Sequence, residues 1–122
     1  MKLIISGGGT GGHIYPALAI AEQLSKSLPE AELLYVGTSG SMEEELAKKA
    51  GIRFMPIRVK GMPRKLDKRS LVAAWNLVLG IIDSKRLIKN EKPDLVIGTG
   101  GYVSGPVSFV AGLSGIPVVI HE

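Results

Sequence analysis

Residues Gly7 to His13 read GGGTGGH, a run with the composition of a loop that can cradle an anion. Glycines let a chain turn sharply from strand to helix while leaving successive backbone N–H groups exposed, and a helix N-terminus adds positive partial charge. His13 follows at once. A histidine placed there is a candidate general base toward a ligand in the loop. A similar run, GTGGYVSGP, occupies Gly98 to Pro106 and repeats the order of glycines, an aromatic or histidine, and proline found in GTGGHIYP at Gly9 to Pro16. The two runs read as two loops solving one problem.

Gly7, Gly9 and Gly12 satisfy G-x-G-x-x-G, so a dinucleotide site has to be weighed. Val36, Gly37, Thr38 and Ser39, where the second strand ends, offer no acid to hold a ribose hydroxyl, which disfavours a nicotinamide cofactor. No Lys-Ser or Lys-Thr follows the glycines, which disfavours a P-loop more strongly. A generic phosphate seat survives, beside the plainer reading of a tight turn with no ligand. His121 and Glu122 end the last apolar run and could join the same edge, or could be simply solvated.

The elements that must position these residues follow from patterning. Short apolar runs alternate with longer amphipathic stretches, as in βαβ units feeding a parallel sheet. Strands are expected at Lys2 to Ser6, Glu32 to Val36, Arg53 to Val59, Leu95 to Gly98 and Val118 to His121. A first helix should run from about Tyr15, with Pro16 in its first turn, to Leu28, burying Ala17, Leu18, Leu24 and Leu28. Ser41 with Glu44 reads as a capping box opening a second helix that Gly51 stops. A third spans about Ser70 to Asn90, and a fourth begins near Gly105 and Pro106 and ends before Gly115. Right-handed crossovers predict a Rossmann-like α/β sheet of order 3-2-1-4-5 with helices on both faces. Both glycine loops then meet where the strand order reverses, the usual ligand crevice of such sheets.

With 122 residues, 45% hydrophobic and 21% charged, the chain has the size and balance of one globular domain. The absence of cysteine excludes disulfides, thiolate metal sites and a cysteine nucleophile, and fits a reducing compartment. The start MKLIISGGG lacks the parts of a signal peptide, and no apolar run reaches spanning length. Cytoplasm is the default expectation.

The net charge of +4 is concentrated: Arg58, Lys60, Arg64, Lys65, Lys68 and Arg69 fall within twelve positions opposed only by Asp67. Ten of the twelve residues from Leu71 to Ile82 are apolar. Leu71, Trp75, Val78 and Ile82 would form a buried stripe, leaving Val72, Leu79 and Leu77 in excess. Excess apolar surface beside cations suits a monotopic membrane contact; a helix buried all round is the alternative. Nucleic acid is not expected, because Trp75 and Phe54 provide no stacking ladder.

The segments SGGGTGGHIYPALAIAEQL, LLYVGTSGSMEEELAKKAGI and KPDLVIGTGGYVSGPVSFVAGLSGIPVVIHE resemble, in order and spacing, the N-terminal domain of the MurG family, the family 28 glycosyltransferases of peptidoglycan synthesis. The resemblance covers essentially the whole chain. It implies one half of an inverting, two-domain GT-B enzyme that moves N-acetylglucosamine from UDP-GlcNAc to the 4-hydroxyl of lipid I, an undecaprenyl-diphosphate-linked acceptor, with no cofactor or metal. It further implies that Thr10, Gly11 and Gly12 touch the donor, and that His13 is the general base or a diphosphate contact. Gly100, Gly101, Tyr102, Ser104 and Gly105 would help hold the acceptor diphosphate, and Glu122 would join the substrate site. Lys60, Arg64, Lys65, Leu66, Lys68, Arg69, Val72, Trp75 and Leu79 would meet an anionic membrane, placing the protein peripherally on the cytoplasmic face of the bacterial inner membrane. The sequence given stops at Glu122, where the family continues through a Gln-Asn segment into its donor domain. The expectation is a single acceptor domain over residues 1–122 that does not turn over alone. A free-standing nucleotide-binding module and a membrane-docking subunit of a split glycosyltransferase are the competing readings.

Overall fold

The computed structural model describes residues 1–59 and 68–121, without the side chain of residue 69. Five parallel strands, β1 (Lys2–Ser6), β2 (Glu32–Gly37), β3 (Arg53–Pro56), β4 (Leu95–Gly98) and β5 (Val118–Ile120), form one sheet in the order β3-β2-β1-β4-β5. This is the expected order. The helices between them are α1 (Gly11–Ser27), α2 (Met42–Lys49), α3 (Lys68–Glu91) and α4 (Ser104–Leu113).

Alternation along the central strands divides the core in two. Ile4, Leu34, Val36 and Val96 pack with Leu87 and Ile88 of α3 and Val107, Val110 and Ala111 of α4. Ile5, Tyr35 and Ile97 pack on the other side with Ala17 and Ala21 of α1 and Ala47 of α2. Burial of both faces is why the central strands read as nearly continuous apolar runs.

Several boundaries differ from expectation, each for a physical reason. Strand β3 ends at Pro56 rather than Val59, because the Arg58 N–H turns away to an Asp83 carboxylate oxygen at 2.9 Å. Strand β5 stops one residue early, although the His121 N–H still donates to the Gly98 carbonyl. The capping box is shifted: Ser41 Oγ accepts from the Glu44 N–H, but the Glu44 carboxylate reaches back to the Gly40 N–H, one residue before the cap. At the other end of α2, Gly51 adopts φ +74°, and the Gly51 and Ile52 N–H groups close on Lys48 and Ala47 as a Schellman turn.

Helix α1 differs most. It begins at Gly11, four residues before Tyr15, so Pro16 lies in the second turn and withholds the N–H that the Gly12 carbonyl would accept. Thr10 is the extended N-cap, and its carbonyl accepts from the N–H groups of His13 and Ile14 at 3.1 Å each. The buried face is Ile14, Ala17 and Ala21 with Leu18 and Leu24 beside it, while Leu28 is exposed.

The buried stripe expected for α3 is its exposed one. Leu71 and Trp75 are 74% and 62% exposed, and Val78 and Ile82 are also exposed. The face against the fold carries Ser70, Ala73, Gly80, Ser84, Leu87 and Ile88. Small residues let α3 approach closely: a Cβ on Gly80 would fall 2.6 Å from the Arg58 carbonyl oxygen.

Candidate active site

The carboxyl ends of β1 and β4 are adjacent, with Ser6 paired to Gly98, so the two glycine loops leave the sheet side by side. They interlock through main chain. The Gly8 N–H donates to the Gly100 carbonyl at 3.3 Å, and the Thr99 N–H donates to the Ser6 carbonyl at 2.9 Å. A Cβ on Gly101, which adopts φ +86°, would fall 2.1 Å from the Gly8 carbonyl oxygen. Only glycine permits that approach and that conformation together.

His13 sits half-buried in the first turn of α1, between the loops. Its Nδ1 lies 3.1 Å from the Gly8 carbonyl oxygen and 3.2 Å from Thr10 Oγ1. A carbonyl can only accept, so Nδ1 carries the proton of the Gly8 bond, and in the neutral ring Nε2 is the lone-pair nitrogen. That nitrogen is on the side of the second loop, where a Cβ on Gly100 would lie 3.0 Å away. The ring is therefore presented as an acceptor at the crevice.

The remaining expected site residues divide. Gly11 and Gly12 occupy the first two positions of α1, whose N–H groups have no intrahelical carbonyl to bond. They are free to receive an anion. Thr10 is exposed and bonds the His13 ring instead of capping the helix. The exposed Tyr102 ring covers Gly9, which adopts φ +88°. Ser104 is buried, and its hydroxyl donates to the Gly101 carbonyl at 3.2 Å, so it shapes the loop from within. Gly105 has open space around it. His121 is exposed beyond β5, while Glu122 lies outside the described residues.

Three residues beneath the loops were not anticipated. Tyr35 donates its hydroxyl to the Gly7 carbonyl; burial, and secondarily the nearby Glu43 charge, push its pKa well above the ordinary range, so it remains a donor. Glu43, 2% exposed, places Oε2 3.3 Å from both the N–H and the hydroxyl of Thr38, and would touch a Cβ on Gly8 at 2.1 Å. Thr99 donates its hydroxyl to the His13 carbonyl at 2.6 Å. Glu43 shares the first turn of α2 with Glu44 and Glu45, where a carboxylate is ordinary and does not stand out. Nothing local marks Thr99 or Tyr35.

Residues 3–122, which include both glycine loops and His13, match the glycosyltransferase family 28 N-terminal domain. The chain belongs to that family. This family 28 domain is 48% identical over its full length to a UDP-N-acetylglucosamine--N-acetylmuramyl-(pentapeptide) pyrophosphoryl-undecaprenol N-acetylglucosamine transferase of Bacillus cytotoxicus, covering 34% of that protein. It is 49% identical to the same-named protein of Desulfitobacterium hafniense, covering 33% of it. The crystal structure of Acinetobacter baumannii MurG superposes with a TM-score of 0.84 at 36% identity, over 99% of this chain and 35% of that one. A UDP-GlcNAc 2-epimerase from Neisseria meningitidis bound to UDP-GlcNAc, at 19% identity and a TM-score of 0.64, shares the fold. The family 28 domain thus spans about a third of the length of the curated relatives it matches.

The expected membrane residues are partly described. Lys68, Val72 and Trp75 are exposed and Leu79 is half-buried. Lys60, Arg64, Lys65, Leu66 and the side chain of Arg69 lie outside the described residues. Arg58 does not belong to a free positive field, because its guanidinium pairs bidentately with Asp83 at 2.8 and 2.9 Å. Lys85 and Lys89, unforeseen, continue the face of Leu71, Trp75, Val78 and Ile82 at helical spacing. Helix α4, which packs against α3, also exposes Phe109 and Leu113. Among the described residues no helix is long and apolar enough to cross a membrane.

Proposed function

We propose that this chain is the acceptor-binding half of an inverting glycosyltransferase that moves N-acetylglucosamine from UDP-GlcNAc to undecaprenyl-diphosphate-linked N-acetylmuramyl-pentapeptide, completed by a donor domain. The observation that carries this reading is the His13 ring held by Gly8 with Nε2 toward the second glycine loop. It is supported by the match of the whole chain to about a third of transferases of that name.

In this mechanism Nε2 removes the proton from the acceptor hydroxyl as its oxygen bonds to the anomeric carbon. The bond from that carbon to the diphosphate oxygen breaks, UDP leaves with the electron pair, and the configuration inverts. The N–H groups of Gly11 and Gly12, at the positive end of α1, receive diphosphate charge as it develops. Gly100, Gly101 and Tyr102 line the side on which the acceptor diphosphate enters. His13 then returns its proton to solvent.

The exposed stripe of α3 with Lys68, Lys85 and Lys89 rests on anionic lipid, which holds the enzyme at the cytoplasmic face of the membrane where its acceptor is embedded. Residues 1–122 form one domain, and turnover requires the donor half.

Two measurements test the reading. NMR titration of the isolated chain should move Gly7–His13 and Gly100–Gly105 resonances with a soluble acceptor diphosphate analogue and respond only weakly to UDP-GlcNAc; tight UDP-sugar binding by this half would overturn it. In the protein joined to its donor domain, His13→Ala should lower turnover about 10²- to 10⁴-fold. A loss under about tenfold removes His13 from the base role.

A further inference from the structure

Three consecutive residues of the second loop touch His13 or the group that orients it. The Thr99 hydroxyl donates to the His13 carbonyl at 2.6 Å, and a Cβ on Gly100 would fall 2.6 Å from the ring carbon Cδ2. Gly101 packs against the Gly8 carbonyl that accepts from the ring. Among these, Thr99 alone acts through a side chain. It is 2% exposed, cannot reach solvent, and leaves no room for anything but glycine at position 7, where a Cβ would fall 1.9 Å from Oγ1.

The contact matters because of where α1 starts. Gly11 and Gly12 are poor helix formers, and Pro16 removes a hydrogen bond from the next turn, so the turn carrying His13 has little intrinsic reason to hold its shape. A buried hydroxyl from the residue just after β4 supplies a fixed point. We propose that Thr99 is the positioning residue for His13, setting the turn of α1 so that the ring meets the acceptor hydroxyl.

The inference rests on His13 as the base, and its test separates the two. In the protein joined to its donor domain, Thr99→Val removes the donor at nearly constant shape and Thr99→Ser keeps it. Thr99→Val should lower kcat about tenfold or more, as a displacement well under an ångström can. KM for UDP-GlcNAc should stay within about twofold while Thr99→Ser stays within about threefold of the parent in kcat. In a His13→Ala background, Thr99→Val should cause no further loss, because both changes remove one function. Equal losses with and without His13, or unchanged kcat, overturn the proposal. If His13→Ala itself proves harmless, the base reading fails. Positioning is then judged from the ¹⁵N-histidine ring resonances, which Thr99→Val must shift and Thr99→Ser must leave in place. Thr99→Ala stands in should the valine variant not fold, with the same outcomes required.

Discussion

At position 8 a peptide carbonyl orients the His13 ring as a carboxylate orients many histidines. It accepts a hydrogen bond from Nδ1 and so orients the ring with Nε2 toward the second loop. That carbonyl is held by neighbours that differ in what they tolerate. Gly101 has φ +86° and lies against Gly8 backbone, which cannot move aside cheaply, whereas Gly105 is helical with nothing near it. Gly101→Ala should therefore destabilise by about 1–3 kcal/mol. Gly105→Ala should stabilise by up to about 1 kcal/mol, since alanine is the better helix former. Urea unfolding midpoints check this pair; equal midpoints would mean the glycines of the loop are interchangeable. Glu43 shows why its part was not legible: a carboxylate in the first turn of α2 is ordinary, and only Gly8 and Gly37, by lacking Cβ atoms, make the space that buries it.

At the scale of elements, α3 holds the largest departure from expectation. Its apolar residues at Leu71, Trp75, Val78 and Ile82 are spaced as a core stripe would be, but the buried side is taken by Ser70, Ala73, Gly80 and Ser84. Periodicity locates a stripe and not which way it faces. Small residues win that side because close approach to neighbouring backbone, as of Gly80 to the Arg58 carbonyl, buries area that a Leu would hold apart. Gly80→Ala should cost about 1–3 kcal/mol in thermal or chemical unfolding, because its Cβ meets the Arg58 carbonyl at 2.6 Å. Trp75→Ala should leave folding nearly untouched and weaken sedimentation with anionic vesicles. Lys85→Glu should weaken it further at low salt than at high. Vesicle binding indifferent to both changes would detach this face from the membrane.

Among the described residues, two ion-pair groups tie distant segments together. Hydrogen bonding by Arg58 holds the Asp83 carboxyl below the usual carboxylate range, and hydrogen bonding by Lys2, then Arg53, does the same for Glu91. Lys2 Nζ lies 3.0 Å from Glu91, linking β1 to the end of α3, while Arg58 links the segment after β3 to the middle of that helix. A carboxyl whose folded pKa is lowered adds stability that is present above its unfolded value and is lost as pH falls through the folded one. Stability should thus hold near neutrality and decline below about pH 4. Asp83→Asn should remove part of that acid slope, measured as the melting temperature against pH; an unchanged slope would show that the pair contributes nothing to it.

The sequence by itself determined the strand order, the second and fourth helices nearly to the residue, and the meeting of the two glycine loops at one edge. These depend on local turn chemistry, alternation and the handedness of crossovers, all of which act within a few tens of residues. His13 and the glycines were visible for the same reason. Tertiary structure alone decided that α1 begins inside the loop, that the apolar stripe of α3 faces outward, and that Thr99, Tyr35 and Glu43 stand beneath the site. Each of those depends on a contact between residues far apart in the chain, such as Thr99 with His13, and a pair of that kind leaves no periodic trace in either segment. The GGGTGGH loop is legible from its glycines, but the orientation of the His13 ring is set by the fold around it.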